Sequence, residues 1–226
     1  MSRPYGTLTR NSTVTRLNHW LTAACFVLLM LSGLSMFDPV LFWVSNLFGG
    51  GAWTRMIHPW IGVVLLISYS GLIIQFWRDN LWSRDDVAWM MAIDKVLENK
   101  EEGVPEVARF NAGQKFVFWS MTLLVPALLI TGLVIWEYYF GSYTSIPTQR
   151  AALLIHSLAA IAAIIIWIVH VYAAIWVRGS MRAMTQGWVT PCWAWRHHRK
   201  WFRSLAVTSS AGPKPHDDGR EFSKLK

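Results

Sequence analysis

Residues Ala151 to Arg178 read AALLIHSLAAIAAIIIWIVHVYAAIWVR. From Ala151 to Val177 the stretch is apolar and long enough to cross a hydrocarbon core with some tilt. Two ionisable residues interrupt it, His156 and His170, 14 positions apart. That spacing is just under four helical turns, so both rings leave one face, roughly 21 Å apart along the axis. An ionisable side chain inside a membrane span marks a functional site by default. Two on one face require partners on neighbouring helices at two depths.

The rest of the chain has the composition to supply those helices. Of 226 residues, 54% are hydrophobic and 15% charged, and 15 are Trp, a balance that excludes an ordinary soluble core. Run length and periodicity predict four spans: Leu17–Phe37, Ile57–Trp77, Phe116–Trp136 and Ala151–Val177. None of them contains Lys or Arg. The formal charge of +8 is no nucleic-acid footprint, because the basic residues flank spans and form no single basic face. Nineteen of the 21 Lys and Arg fall in the N-terminal tail, the loop after span two and the segment after span four; only Arg55 and Arg150 fall elsewhere. Both termini and the long middle loop are therefore expected in the cytoplasm. The first apolar run ends LSGLSMFDP without a small-residue cleavage site, so it is expected to be retained. Cys25 and Cys192 read as a small buried hydrophobe and an ordinary thiol.

The remaining histidines can be placed by depth. Span one opens with Asn18-His19-Trp20 at the cytoplasmic level, with Gly33 on the same face near the other side. Span two opens with Ile57-His58-Pro59-Trp60 at the periplasmic level, Pro59 being expected in the first turn, with Gly62 one turn on. Depth therefore matches His58 with His156 and His19 with His170. His197 and His198, in the basic, Trp-rich segment after span four, read as solvated, and that segment as an interfacial helix. Leu41–Phe48 reads as a short interfacial piece. Val87–Leu97 reads as an amphipathic helix on the membrane surface, with Trp89 and the paired methionines as its anchors. Pro126 is expected to kink span three.

A neutral imidazole is the ionisable group least costly to bury and a good iron ligand. Two imidazoles on opposite sides of a haem iron fill both axial positions, which suits electron transfer rather than oxygen chemistry. With no C-x-x-C-H motif, the haem would be of b type. A single zinc or copper site is disfavoured, because its ligands must all lie about 2 Å from one ion. A histidine-lined metal or proton transporter is the reading from another class. It would more usually carry Asp or Glu within its spans.

These segments in order, LNHW, IHPW, NAGQKFVFWS, LLIHSLAA and HVYAAIWVRGSMRAM, resemble the cytochrome b (gamma) subunit of respiratory formate dehydrogenase. The likeness covers about residues 13–202 and weakens around Gly49–Trp53 and in the tail; NAGQK is its most specific element. The diheme helix alone would also suit hydrogenase and thiosulfate-reductase cytochromes. The resemblance implies an all-α integral membrane protein, a four-helix bundle binding two stacked b haems on His19, His58, His156 and His170. It implies a quinone pocket, for menaquinone or ubiquinone, at Asn111, Gly113 and Gln114. From the residues alone, Asn111 reads equally as the N-cap of span three. The implied partners are an iron–sulfur (beta) and a catalytic (alpha) formate dehydrogenase subunit, the quinone and the lipid bilayer, with no nucleic acid. The chain itself carries no molybdenum, tungsten or iron–sulfur motif, so it would be an electron-transfer subunit, not an enzyme on its own. Residues 1–205 are expected to form the membrane domain, and 206–226 a disordered cytoplasmic tail.

Overall fold

The computed structural model describes residues 6–98 and 103–210, the last five by backbone alone. The tail from residue 211 lies outside the described residues. A short strand β1 (Leu8–Thr9) leads into α1 (Thr13–Phe37), capped by Ser12, whose Oγ accepts the Thr15 N–H at 3.1 Å. A 3-10 helix over Pro39–Phe48 ends in Gly49 and Gly50, at φ 87° and 96°, a left-handed pair that turns the chain into α2 (Gly51–Phe76). The next connection holds α3 (Arg84–Met91) and α4 (Ile93–Leu97). Then come α5 (Ala112–Ile135), the single-turn α6 (Glu137–Phe140) and the long α7 (Ile146–Trp176), followed by α8 (Ser180–Thr185), β2 (Trp188–Val189), α9 (Pro191–His197) and α10 (Arg199–Ser210). β2 pairs antiparallel with β1, Leu8 opposite Val189, and clasps the N-terminal segment to the segment after α7.

The four expected spans are the four helices long and apolar enough to cross a membrane: α1, α2, α5 and α7. Each ends within a residue of its expected end and starts up to two turns earlier, because polar caps and Gly extend the helix before the apolar run begins. α1 packs along α2, and α5 along α7. The two hairpins meet mainly through α2 and α5, while α1 and α7 touch sparsely, which leaves room between them. Within the bundle the backbone's polar needs are met internally, as hydrocarbon surroundings demand. Asn18 Nδ2 donates to the Ser68 carbonyl at 2.9 Å, and Ser68 Oγ returns a bond to Asn18 Oδ1 at 2.8 Å, locking α1 to α2. Tyr69 OH donates to the Phe118 carbonyl at 2.9 Å and ties α2 to α5. The core between them is Cys25, Phe26, Leu65, Tyr69, Leu72, Val125 and Ala163, with Phe26 stacked on Trp167 of α7.

Several local expectations are corrected. Pro59 is not in the first turn: α2 starts at Gly51, so Pro59 lies inside the helix and His58 two turns from its start. The helix gives up one hydrogen bond there, at the Arg55 carbonyl, and runs on. Trp89 does not anchor a surface helix. It is 8% exposed, because the segment breaks at Ala92 into α3 and α4 and α3 folds against the start of α5. The segment after α7 is not one interfacial helix but three short ones and a strand. His198 is not solvated: it is 2% exposed, and its Nδ1 meets the Ala108 carbonyl at 2.9 Å. Burial, with Arg10 nearby, pushes its pKa down to about 3, so it is a neutral packing residue at the end of α9.

Candidate functional site

The structure brings the four span histidines together as the two expected pairs. His19 of α1 faces His170 of α7 with ring centroids 6.3 Å apart, and His58 of α2 faces His156 of α7 at the same 6.3 Å. α7 contributes to both, and at 1.5 Å per residue its two histidines put the pairs roughly 21 Å apart along the helix. A metal ion midway between two imidazoles, each nitrogen about 2 Å from it, requires centroids roughly 6 Å apart. Each pair has that spacing. Among the described residues no group of three His, Cys, Asp or Glu could hold a metal together. Each pair thus brings two imidazoles, and no third side chain of these types, to one place among the described residues.

The surroundings of one pair fix which nitrogen is available. Ser32 Oγ lies 2.7 Å from the Leu28 carbonyl, 3.2 Å from the Leu29 carbonyl and 2.7 Å from His58 Nδ1; with its proton on a carbonyl it accepts from the ring. Thr131 is the counterpart on α5. Its Oγ1 donates to the Ala127 carbonyl at 2.7 Å and therefore accepts from His156 Nδ1 at 2.9 Å. Both rings then carry the proton on Nδ1 and present the Nε2 lone pair, the tautomer a metal ligand needs. The other pair is arranged differently: His19 Nδ1 is buried with no hydrogen-bond partner among the described residues.

Glycines make the space. A Cβ on Gly33 would sit 3.5 Å from His58 Cε1, and one on Gly132 would sit 3.5 Å from His156 Cε1, so each backbone backs directly onto a ring. A Cβ on Gly62, one turn beyond His58, would meet nothing within 4 Å. Ser32, Thr131 and Gly132 were not singled out by sequence. A hydroxyl in an apolar span was the available signal, but its helical bond to the preceding turn is its ordinary fate.

Asn111, Gly113 and Gln114 stand at the start of α5, at the same end of the bundle as His19 and His170. Asn111 and Gln114 form a reciprocal capping box: Asn111 Oδ1 accepts the Gln114 N–H at 2.9 Å, and Gln114 Oε1 accepts the Asn111 N–H at 3.0 Å. Both oxygens are thus spent on the helix, while Asn111 Nδ2 and Gln114 Nε2 have no partner among the described residues. Gly113 lies against Trp89. This helix start is held by a buried ion pair that sequence reading passed over. Lys115 Nζ donates to Asp86 Oδ2 at 2.7 Å and to the Leu81 carbonyl at 2.9 Å.

Two facing histidine pairs lie across the four-helix bundle, and similarity to known proteins identifies the family. The family model described as prokaryotic cytochrome b561 matches residues 10–187. The chain belongs to the prokaryotic cytochrome b561 family. The cytochrome is 41% identical over 203 residues to the formate dehydrogenase cytochrome b556(fdo) subunit of Escherichia coli strain K12, covering 90% of this chain and 95% of that one. It is 36% identical over 199 residues to the formate dehydrogenase cytochrome b556 subunit of Haemophilus influenzae, covering 88% and 84%. To the nitrate-inducible cytochrome b556(Fdn) subunit of Escherichia coli strain K12 it is 36% identical over 198 residues, covering 88% and 91%. Family membership carries b-type haem, and the cytochrome is a multi-pass membrane protein.

Proposed function

We propose that this cytochrome is the membrane subunit of a formate dehydrogenase, taking electrons from an iron–sulfur (beta) subunit served by a catalytic (alpha) subunit and delivering them to menaquinone or ubiquinone. The observation that carries the reading is the pair of two-histidine sites at two depths of α7. One site would serve only one side of a bilayer; two make a path across it. The relatives' names supply the choice of formate dehydrogenase over other cytochrome b complexes. The clustering of Lys and Arg supports cytoplasmic termini in the inner membrane.

His58 and His156 would hold one haem, and His19 and His170 the other. A b haem held by each pair would supply reversible one-electron transfer. The chain's own residues do the rest. Ser32 and Thr131 hold the His58 and His156 rings in the ligating tautomer and orientation. Gly33, Gly62 and Gly132 keep side chains out of the volume beside those rings. Electrons would enter on the His58–His156 side and leave on the His19–His170 side. There the Asn111 and Gln114 amide N–H groups, turned outward by the capping box, would donate to quinone oxygens, with protons drawn from the adjacent cytoplasm.

The test is haem counting. Purified protein should carry two low-spin b haems per chain and bleach reversibly on reduction and reoxidation. His58→Ala and His170→Ala should each remove or convert one haem, and His197→Ala neither. Full haem content in both span variants would overturn the assignment. Co-purification of partner subunits identifies the complex.

A further inference from the structure

Beyond α7, residues 178–197 fold into an open cleft of about 300 Å³ at that end of the bundle. Arg178, Arg182, Arg196 and Trp193 line it, and among the described residues no carboxylate does. Neither Arg178 nor Arg182 has an acidic partner among the described residues. Glu106 pairs with Arg199 and Arg203, Asp85 with Lys200, and Asp79 with Arg109. Two N–H donors of the cleft, Arg182 Nε and Trp193 Nε1, are buried without a hydrogen-bond partner.

The arrangement is held in place. The Arg182 guanidinium lies over the Trp188 ring at 4.4 Å. Gly179, at φ +94°, lets the backbone press against Trp193, where a Cβ would come within 3.0 Å of the ring. A planar guanidinium fork suits the oxygens of a phosphate. Arg178 and Arg182, without an acidic partner among the described residues, favour a net anionic headgroup over one that adds its own ammonium. Below the cleft, Tyr172, Ile175 and Trp176 are 60%, 66% and 59% exposed on α7, an apolar strip in line with the bilayer. Free phosphate shares the oxygens but has nothing to lay on that strip.

We propose that this cleft binds the phosphate of an anionic phospholipid whose acyl chains lie along the last turns of α7. It requires only that α7 spans the membrane, and so stands apart from the assignment of haems and quinone.

The experiment is native mass spectrometry of the haem-loaded protein in micelles containing phosphatidylglycerol and phosphatidylcholine in equal amounts. Wild type should retain about one phosphatidylglycerol at energies that strip phosphatidylcholine. Arg178→Gln with Arg182→Gln should lower that retention at least fivefold, and Arg178→Lys with Arg182→Lys should recover part of it. Arg150→Gln, between α6 and the apolar run of α7, should change nothing. An unchanged haem spectrum certifies that each variant is folded. Equal retention of the two lipids, or undiminished phosphatidylglycerol in the double Gln variant, overturns the proposal. Inorganic phosphate is the third probe: displacement of the lipid by phosphate at equal concentration would make this a free-phosphate site and overturn the lipid assignment.

Discussion

Thr131 Oγ1 sits 2.9 Å from His156 Nδ1 while its own proton goes to the Ala127 carbonyl at 2.7 Å, so the threonine acts on the histidine purely as an acceptor. Ser32 does the same to His58. Thr131→Val keeps the shape and removes the acceptor, leaving the Nδ1–H buried and the ring free to adopt the wrong tautomer. Haem affinity at that site should fall about 10- to 100-fold, the usual cost of losing such a partner. Thr131→Ser should restore it. Haem titration of apoprotein measures this directly, and equal affinity in Thr131→Val would show that ring orientation is set by packing alone.

The asymmetry between the two sites explains what the sequence could and could not reveal. His156 and His170 stood out because a polar residue inside an apolar run has few ordinary reasons to be there. Their partners followed from depth alone. The hydroxyls of Ser32 and Thr131 were silent, since each also makes the intrahelical bond any Ser or Thr makes in a span. His58 meets His156 as depth matching expects, but it lies inside the helix and not at its start, because Pro59 signals a helix start more often than an interior. His198 was misread for a different reason. A basic, Trp-rich segment reads as surface, and only the folding of residues 107–109 over α9 buries the ring.

The Lys115–Asp86 pair fastens α3 to the first turn of α5 with both side chains over 90% buried. Burial alone would raise the Asp86 pKa, but bonds from Lys115 and Ser83 outweigh it and hold the carboxyl below its ordinary value. A depressed carboxylate stabilises the fold above its unfolded pKa and loses that contribution as pH falls through the folded one. Thermal stability should therefore drop below about pH 4. Asp86→Asn should flatten that drop and cost about 3–5 kcal/mol at neutral pH, because it strands the Lys115 charge. Asp86→Asn with Lys115→Met should cost less. Melting curves across pH follow all three, and a single variant no less stable than wild type would mean the pair carries little.

Orientation rests on the distribution of Lys and Arg and has a direct test. In a Cys192→Ser background, cysteine at Asp94 or at Ser142 occupies an exposed position on opposite ends of the bundle. A membrane-impermeant thiol reagent applied to intact cells should label Ser142→Cys and spare Asp94→Cys. The reverse pattern would invert the electron path, placing quinone reduction on the outer side.

The capping box at the start of α5 sharpens the quinone question. Asn111 Oδ1 and Gln114 Oε1 serve the helix, so any quinone must be held by the amide nitrogens. If these residues only cap, Asn111→Ala should cost about 1 kcal/mol of stability, and Gln114→Ala, which removes the return half of the box, less than that. If they also donate to a quinone oxygen that becomes anionic on reduction, each loss should cost about 1.5–3 kcal/mol of barrier, roughly ten- to a hundredfold in rate. Gln114→Glu separates the two roles: it preserves the oxygen that accepts the Asn111 N–H and removes the donor. Its cap should hold and its quinone reaction should not. The measurement is haem reduction driven by formate in the intact complex, followed by reoxidation with added quinone. Normal reduction with slow reoxidation in Gln114→Glu places the quinone at this helix start; wild-type reoxidation in Gln114→Glu and Asn111→Ala alike would mean the residues are a cap and the quinone binds elsewhere.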